Sequence, residues 1–154
     1  MGRNESTTAR LTSTLGSSIV AGVAGTAAMT VASTIESKAS SRGSSTAPAA
    51  AAGEVIGVQA RDLQGIRRFN TLAHWGYGTM WGLFRGALDT AGLRGPVASL
   101  LHFAAVLGTE QAILPALGVS APTPRYGAKA TVTDSLHHAV YAATSGVTYD
   151  RLRS

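Results

Sequence analysis

The length of its uncharged stretches constrains this chain more than any other feature. From Leu15 to Ile35 run 21 residues without Asp, Glu, Lys or Arg, bounded by Arg10 before and by Glu36 and Lys38 after. At 1.5 Å per residue a helix of that length crosses a hydrocarbon core of about 30 Å. A second stretch, Gly95 to Pro124, holds one charge, Glu110, in 30 residues. A soluble amphipathic helix would place a charge on its wet face about every turn, so the pattern favours membrane spans.

Four spans are expected: 15–35, 69–93, 96–119 and 132–149. The second opens with an uncharged run to Phe84 and closes with Arg85 and Asp89; the fourth contains Asp134, His137 and His138. A secretory signal peptide competes for the first stretch because Arg3 and Arg10 precede it, but the apolar run exceeds a signal h-region, so it is expected to be retained. The expected fold is all-α, a single membrane domain over residues 1–154 built as a four-helix transmembrane bundle. Residues 37–53, rich in Ser, Ala, Gly and Pro, have the composition of a flexible linker. Residues 54–68 carry Ile56, Ala60, Leu63 and Ile66 near helical spacing beside Arg61, Arg67 and Arg68, which predicts a short interfacial helix in the first loop. The brief link from Leu93 to Pro96 makes spans two and three antiparallel, Pro115 is expected to bend span three, and Pro122, Pro124 and Gly127 mark the final turn. An even number of spans puts both termini on one side. Loop Lys and Arg number five on that side and seven opposite, which leaves orientation open.

Membrane helices associate by close packing, because lipid is as apolar as leucine, and small residues at spacing four let backbones approach. Span two carries Gly78, Gly82 and Gly86 on one ridge, and span one carries Ser18, Gly22 and Thr26 beside Ala21 and Gly25. These are read as contacts within the chain. The net charge of +5 raises the question of nucleic acid, but the 13 basic residues are scattered and adjoin only at Arg67 and Arg68, which suits the flanks of membrane helices and not a nucleic-acid face. The expected partners are the lipid bilayer and either a larger membrane complex or further copies of the chain. With no cysteine, a disulfide framework, a thiolate metal site and a cysteine nucleophile are all excluded.

All four histidines fall inside predicted spans, and titratable groups in a bilayer usually face the protein interior or water. Counted along antiparallel helices, His74, His138 and Glu110 lie at similar depths, with His137 beside them, and Asp134 is placed four residues before His138 to hold its imidazole. These five form one candidate polar layer. Arg85 and Asp89, four apart and able to pair, form a second with His102. Two histidines and Glu110 would suit a divalent metal, and histidines at matched depth on spans two and four would suit haem, although no tight HxxxH or HxxE spacing selects either. No cofactor is assigned. No G-x-S-x-G, HExxH or phosphate-cradling glycine loop is present, so no catalytic residue is assigned. The leading functional expectation is an accessory or scaffold component; the alternatives are a proton- or ion-linked transport pathway and a metal- or haem-binding membrane protein.

The chain resembles the YagU-like family of small bacterial inner-membrane proteins and their uncharacterised actinobacterial relatives. The resemblance rests on AGVAGTAAMT from Ala21 to Thr30, HWGYGTMWG from His74 to Gly82, LPALG from Leu114 to Gly118, and HHAVYA from His137 to Ala142. It implies a multi-pass protein of the bacterial plasma membrane. It implies no particular activity, cofactor or catalytic residue.

Overall fold

The computed structural model describes residues 7–41, 45–58, 60–121, 125 and 127–154. The described residues are helical without strands, in five helices: α1 (Thr7–Ala39), α2 (Ala47–Ile56), α3 (Leu63–Thr90), α4 (Gly95–Ala116) and α5 (Ala128–Arg153). By length and composition two of them, α1 and α4, are long and apolar enough to cross a membrane.

Helix boundaries follow local chemistry. Asp62 caps α3, its Oδ1 accepting from the Gly65 amide at 2.6 Å. Prolines occupy the first turns of α2 and α4, where a missing N–H costs no helical bond. α2 closes on Gly57 in the left-handed region at φ 69°. α4 ends at Ala116, one residue after Pro115, with Gly118 at φ 71° beyond it. The proline thus lies in the final turn and does not bend the middle of a span that runs on to Val119.

Three further expectations change. Residues 37–53 are not a linker throughout: α1 continues to Ala39, and Ala47–Ile56 is helical. Alanine is the best helix former, and α2 is tied to α3 by Asn70, whose Oδ1 accepts from the Ala49 amide at 3.0 Å while its Nδ2 donates to the Ser45 carbonyl at 3.0 Å. The short helix of the first loop therefore starts before residue 54 and stops at Ile56, and Leu63 to Arg68 belong to α3. All four long helices have ends that differ from the predicted spans: α1 and α5 run on at both ends, and α3 at its start, into polar flanks that a hydropathy argument cuts away, whereas α3 and α4 each stop three residues short of the predicted end. Pro122, Pro124, Arg3 and Arg42 lie outside the described residues.

α1 packs against α3 with one face and against α5 with another; α5 also packs on α4, and α3 touches α4 over a smaller area. A Cβ on Gly82 would lie 2.7 Å from Gly22 Cα, one on Gly22 would lie 2.7 Å from the Thr79 carbonyl oxygen, and one on Gly86 would meet Ser18 and Thr14. Residue numbers rise along α1 as they fall along α3, so the pair is antiparallel. On the other face a Cβ on Gly25 would lie 2.8 Å from the Tyr141 carbonyl oxygen, and Arg153 Nη1 donates to Ser13 Oγ at 2.6 Å, making α5 antiparallel to α1 with the chain ends together. Hydroxyls in this tight interface satisfy themselves locally: Ser18 donates to the Thr14 carbonyl and Thr26 to the Gly22 carbonyl, each at 2.7 Å.

Gly82→Ala should therefore destabilise the protein by about 1–3 kcal/mol, because the added methyl meets backbone that cannot swing aside. Gly16→Ala, where no described residue lies within 4 Å, should be neutral or stabilise by up to about 1 kcal/mol through helix propensity. Denaturant unfolding followed by circular dichroism distinguishes the two, and equal effects would contradict the close α1–α3 contact.

Candidate functional site

The polar residues of α4 and α5 meet near the end of the helices opposite the termini. His138 is buried at 6% exposure, and its Nδ1 lies 2.9 Å from the Asp134 carbonyl oxygen, one turn earlier on α5. An oxygen acceptor at Nδ1 calls for a proton there. Glu110 of α4 sets its buried Oε2 2.8 Å from Nε2, the spacing of an ion pair when the imidazole carries both protons. Asp134 turns Oδ1 to 3.6 Å from His138 Nδ1, and its Oδ2 accepts from Gln111 Nε2 at 3.1 Å. One ligand-capable atom from each of Glu110, Asp134 and His138 lies within 4.8 Å of the others.

Of the first predicted layer, the structure brings together Glu110, Asp134 and His138. It is the Asp134 main chain, more than its carboxylate, that holds the imidazole. His74 lies within electrostatic range of His138, but its Nε2 pairs with Thr30 Oγ1 of α1 at 3.0 Å. His137 is half-buried and within electrostatic range of Asp134, outside the cluster itself. Nε2 of His74 thus faces Thr30, and Nε2 of His138 faces Glu110. A cleft of about 470 Å³, lined by Glu36, Ser40, Lys129 and Thr133 among others, opens at this end and reaches the turn of α5 that bears Asp134.

The second predicted layer is rearranged. Arg85 is fully buried, and its Nη2 donates to Asp150 Oδ1 of α5, not to Asp89. Its guanidinium lies 4.4 Å from the centroid of the Tyr149 ring, while Nε and Nη1 make no hydrogen bond to a described residue. Asp89 instead accepts from Arg94 Nε at 2.7 Å and from the Tyr149 hydroxyl at 3.0 Å. An i, i+4 spacing permits the Arg85–Asp89 pair, but the guanidinium projects inward across the helix packing whereas Asp89 serves the chain-end cluster. His102 is fully buried among rings, 5.4 Å from Tyr141, 6.0 Å from Phe84 and 6.3 Å from Trp81.

No protein-family model, curated protein or solved structure matches this chain. Its chemistry has to be read from its own side chains. Thr30, Gln111, Tyr149 and Asp150 belong to the polar interior and were missed by sequence reasoning. Asp150 lies one residue past the assumed end of span four, and Gln111 is the sole polar neighbour of Glu110 with an amide, a signal that was legible.

Asp150→Asn should cost about 2–3 kcal/mol, less than a wholly buried pair because Asp150 is 39% exposed, since it leaves the buried guanidinium without its counter-charge. Unfolding free energies of Asp150→Asn and Arg85→Met, measured singly and combined, test the pairing: additive effects would show that the two groups do not interact.

Proposed function

We propose that the chain is a multi-pass protein of the bacterial plasma membrane, in which α1, α3, α4 and α5 form a four-helix transmembrane bundle, and that it serves as an accessory or scaffold component of a membrane assembly. The observation that carries this reading is inverted polarity. Buried positions include Ser17, Ser18, Thr26, Arg85, His102, His138 and Ser145, while Leu15, Ile19, Val31, Ile35, Leu72, Met80, Leu100 and Leu136 are exposed at 47–72%. In water such a surface would be a large apolar patch; in lipid it is the solvated face, and the polar groups pair inside. α3 and α5 fit the same picture with Arg85, His138 and Tyr149 turned inward, and the exposed Arg67 and Arg68 suit lipid headgroups. The resemblance to the YagU-like family supports the same placement.

The accessory role is supported by α4. Only a small part of it is buried, and its outer face carries Ala104, Gly108 and Ala112 at spacing four, flanked by exposed Leu100, Leu101 and Ile113. No described residue lies within 4 Å of a Cβ on Gly108. Small residues spaced this way suit close approach by another membrane helix. The transport alternative draws on Glu110 beside His138, and ion flux by a monomer in liposomes would favour it over the accessory role.

Two measurements test the proposal. Single cysteines at Thr7 and Ser154 should react with a membrane-impermeant reagent from one face and a cysteine at Ser45 from the other; Thr7 and Ser154 labelled from opposite faces would refute the bundle. Mass measurement after mild detergent extraction should find a complex or defined oligomer that Gly108→Leu disperses while the isolated chain keeps its helicity. A wild-type monomer throughout would refute the accessory role.

A further inference from the structure

The geometry points to a divalent first-row transition-metal site formed by Glu110 of α4 and by Asp134 and His138 of α5. Its starting point is the convergence of three ligand atoms. His138 Nδ1 lies 2.9 Å from the Asp134 carbonyl oxygen, Nε2 is directed at Glu110 Oε2 at 2.8 Å, and one ligand atom from each of Glu110, Asp134 and His138 lies within 4.8 Å of the others. A proton on Nε2 bridges the imidazole and Glu110 as an ion pair, and a divalent cation can take the place of that proton, because histidine ligates through a deprotonated nitrogen. A spacing near 3 Å is about that of neighbouring ligand atoms on one metal whose bonds are about 2.0–2.2 Å long.

The donor set also selects the ligand. Two carboxylates bring a formal charge of −2, which a divalent cation cancels, and burial makes that cancellation count. One imidazole with two carboxylates suits zinc, manganese or ferrous iron; calcium and magnesium prefer all-oxygen sites, and no thiol is present to select copper(I). The tie from Nδ1 to a backbone carbonyl and the bond from Gln111 to Asp134 are the outer contacts that fix the orientation of metal ligands. Asp134 must rotate inward, since the three ligand atoms span up to 4.8 Å.

A metal here would join α4 to α5. The inference goes beyond the accessory role and does not need it, because binding is measured on the isolated full chain. The protein, purified in mild detergent and stripped with a chelator, is titrated with zinc and manganese, and with cobalt(II) as an optical probe. Wild type should bind one equivalent, show ligand-field absorption with cobalt, and melt at a higher temperature with zinc than without. Glu110→Gln, Asp134→Asn and His138→Gln should each weaken zinc binding by about tenfold or more and remove the zinc-dependent rise in melting. His137→Gln should change neither. Circular dichroism of the metal-free variants separates loss of ligand from loss of fold, and Glu110→Gln, which keeps its hydrogen-bonding capacity, is the decisive one. Failure of wild type to bind any of the three metals, or equal affinity in folded Glu110→Gln and wild type, would overturn the site. A monomeric wild type that binds zinc would leave the site standing and remove only the accessory role.

Discussion

At Gly22 and Gly25 the backbone of α1 touches two helices at once, α3 on one side and α5 on the other. Every other placement in the molecule depends on that approach. It requires glycine because a single methyl at Gly22, Gly25 or Gly82 would lie under 3 Å from a neighbouring main chain. It also requires hydroxyls that cause no unpaired burial, and Ser18 and Thr26 meet this by donating to carbonyls one turn back. With α1 inserted this closely, α3 and α5 are held with their polar faces inward, and α4 closes over α5.

The interior that results is polar at both ends and aromatic between them. At the chain-end side Arg85 pairs with Asp150 under the Tyr149 ring, and Asp89 gathers Arg94 and Tyr149. In the middle His102 sits among Trp81, Phe84 and Tyr141. At the opposite side Glu110, Asp134 and His138 meet, with Thr30 on His74 nearby. Most of these links join different helices, so each polar group fixes the rotation of the helix that carries it. Apolar contacts alone would not do so, because alanine and valine faces pack acceptably over a range of rotations.

Much of this was legible from spacing. The ladder Gly78, Gly82, Gly86 and its partners Ser18 and Gly22 were readable because both follow the same four-residue ridge, and the common level of Glu110 and His138 followed from helix rise and antiparallel order. Two kinds of residue resisted. Ala47 to Ala52 read as linker because alanine beside Ser, Gly and Pro carries little hydropathy signal, although its helix propensity is the highest of all. Arg85 reads as able to pair with Asp89 because the two share a helix, whereas Asp150 is 65 residues away in sequence.

The sequence by itself determined what depends on local chain geometry: helices where long runs lack charge, and ridges where glycine recurs every fourth residue. Tertiary structure alone decided partnership. Which carboxylate meets Arg85, which atom of Asp134 holds His138, and whether His74 faces Glu110 or Thr30 are settled by helix rotation, and rotation follows from backbone contact distances that differ by a methyl group. A helix pattern records which residues share a face; it does not record the angle at which another helix meets that face.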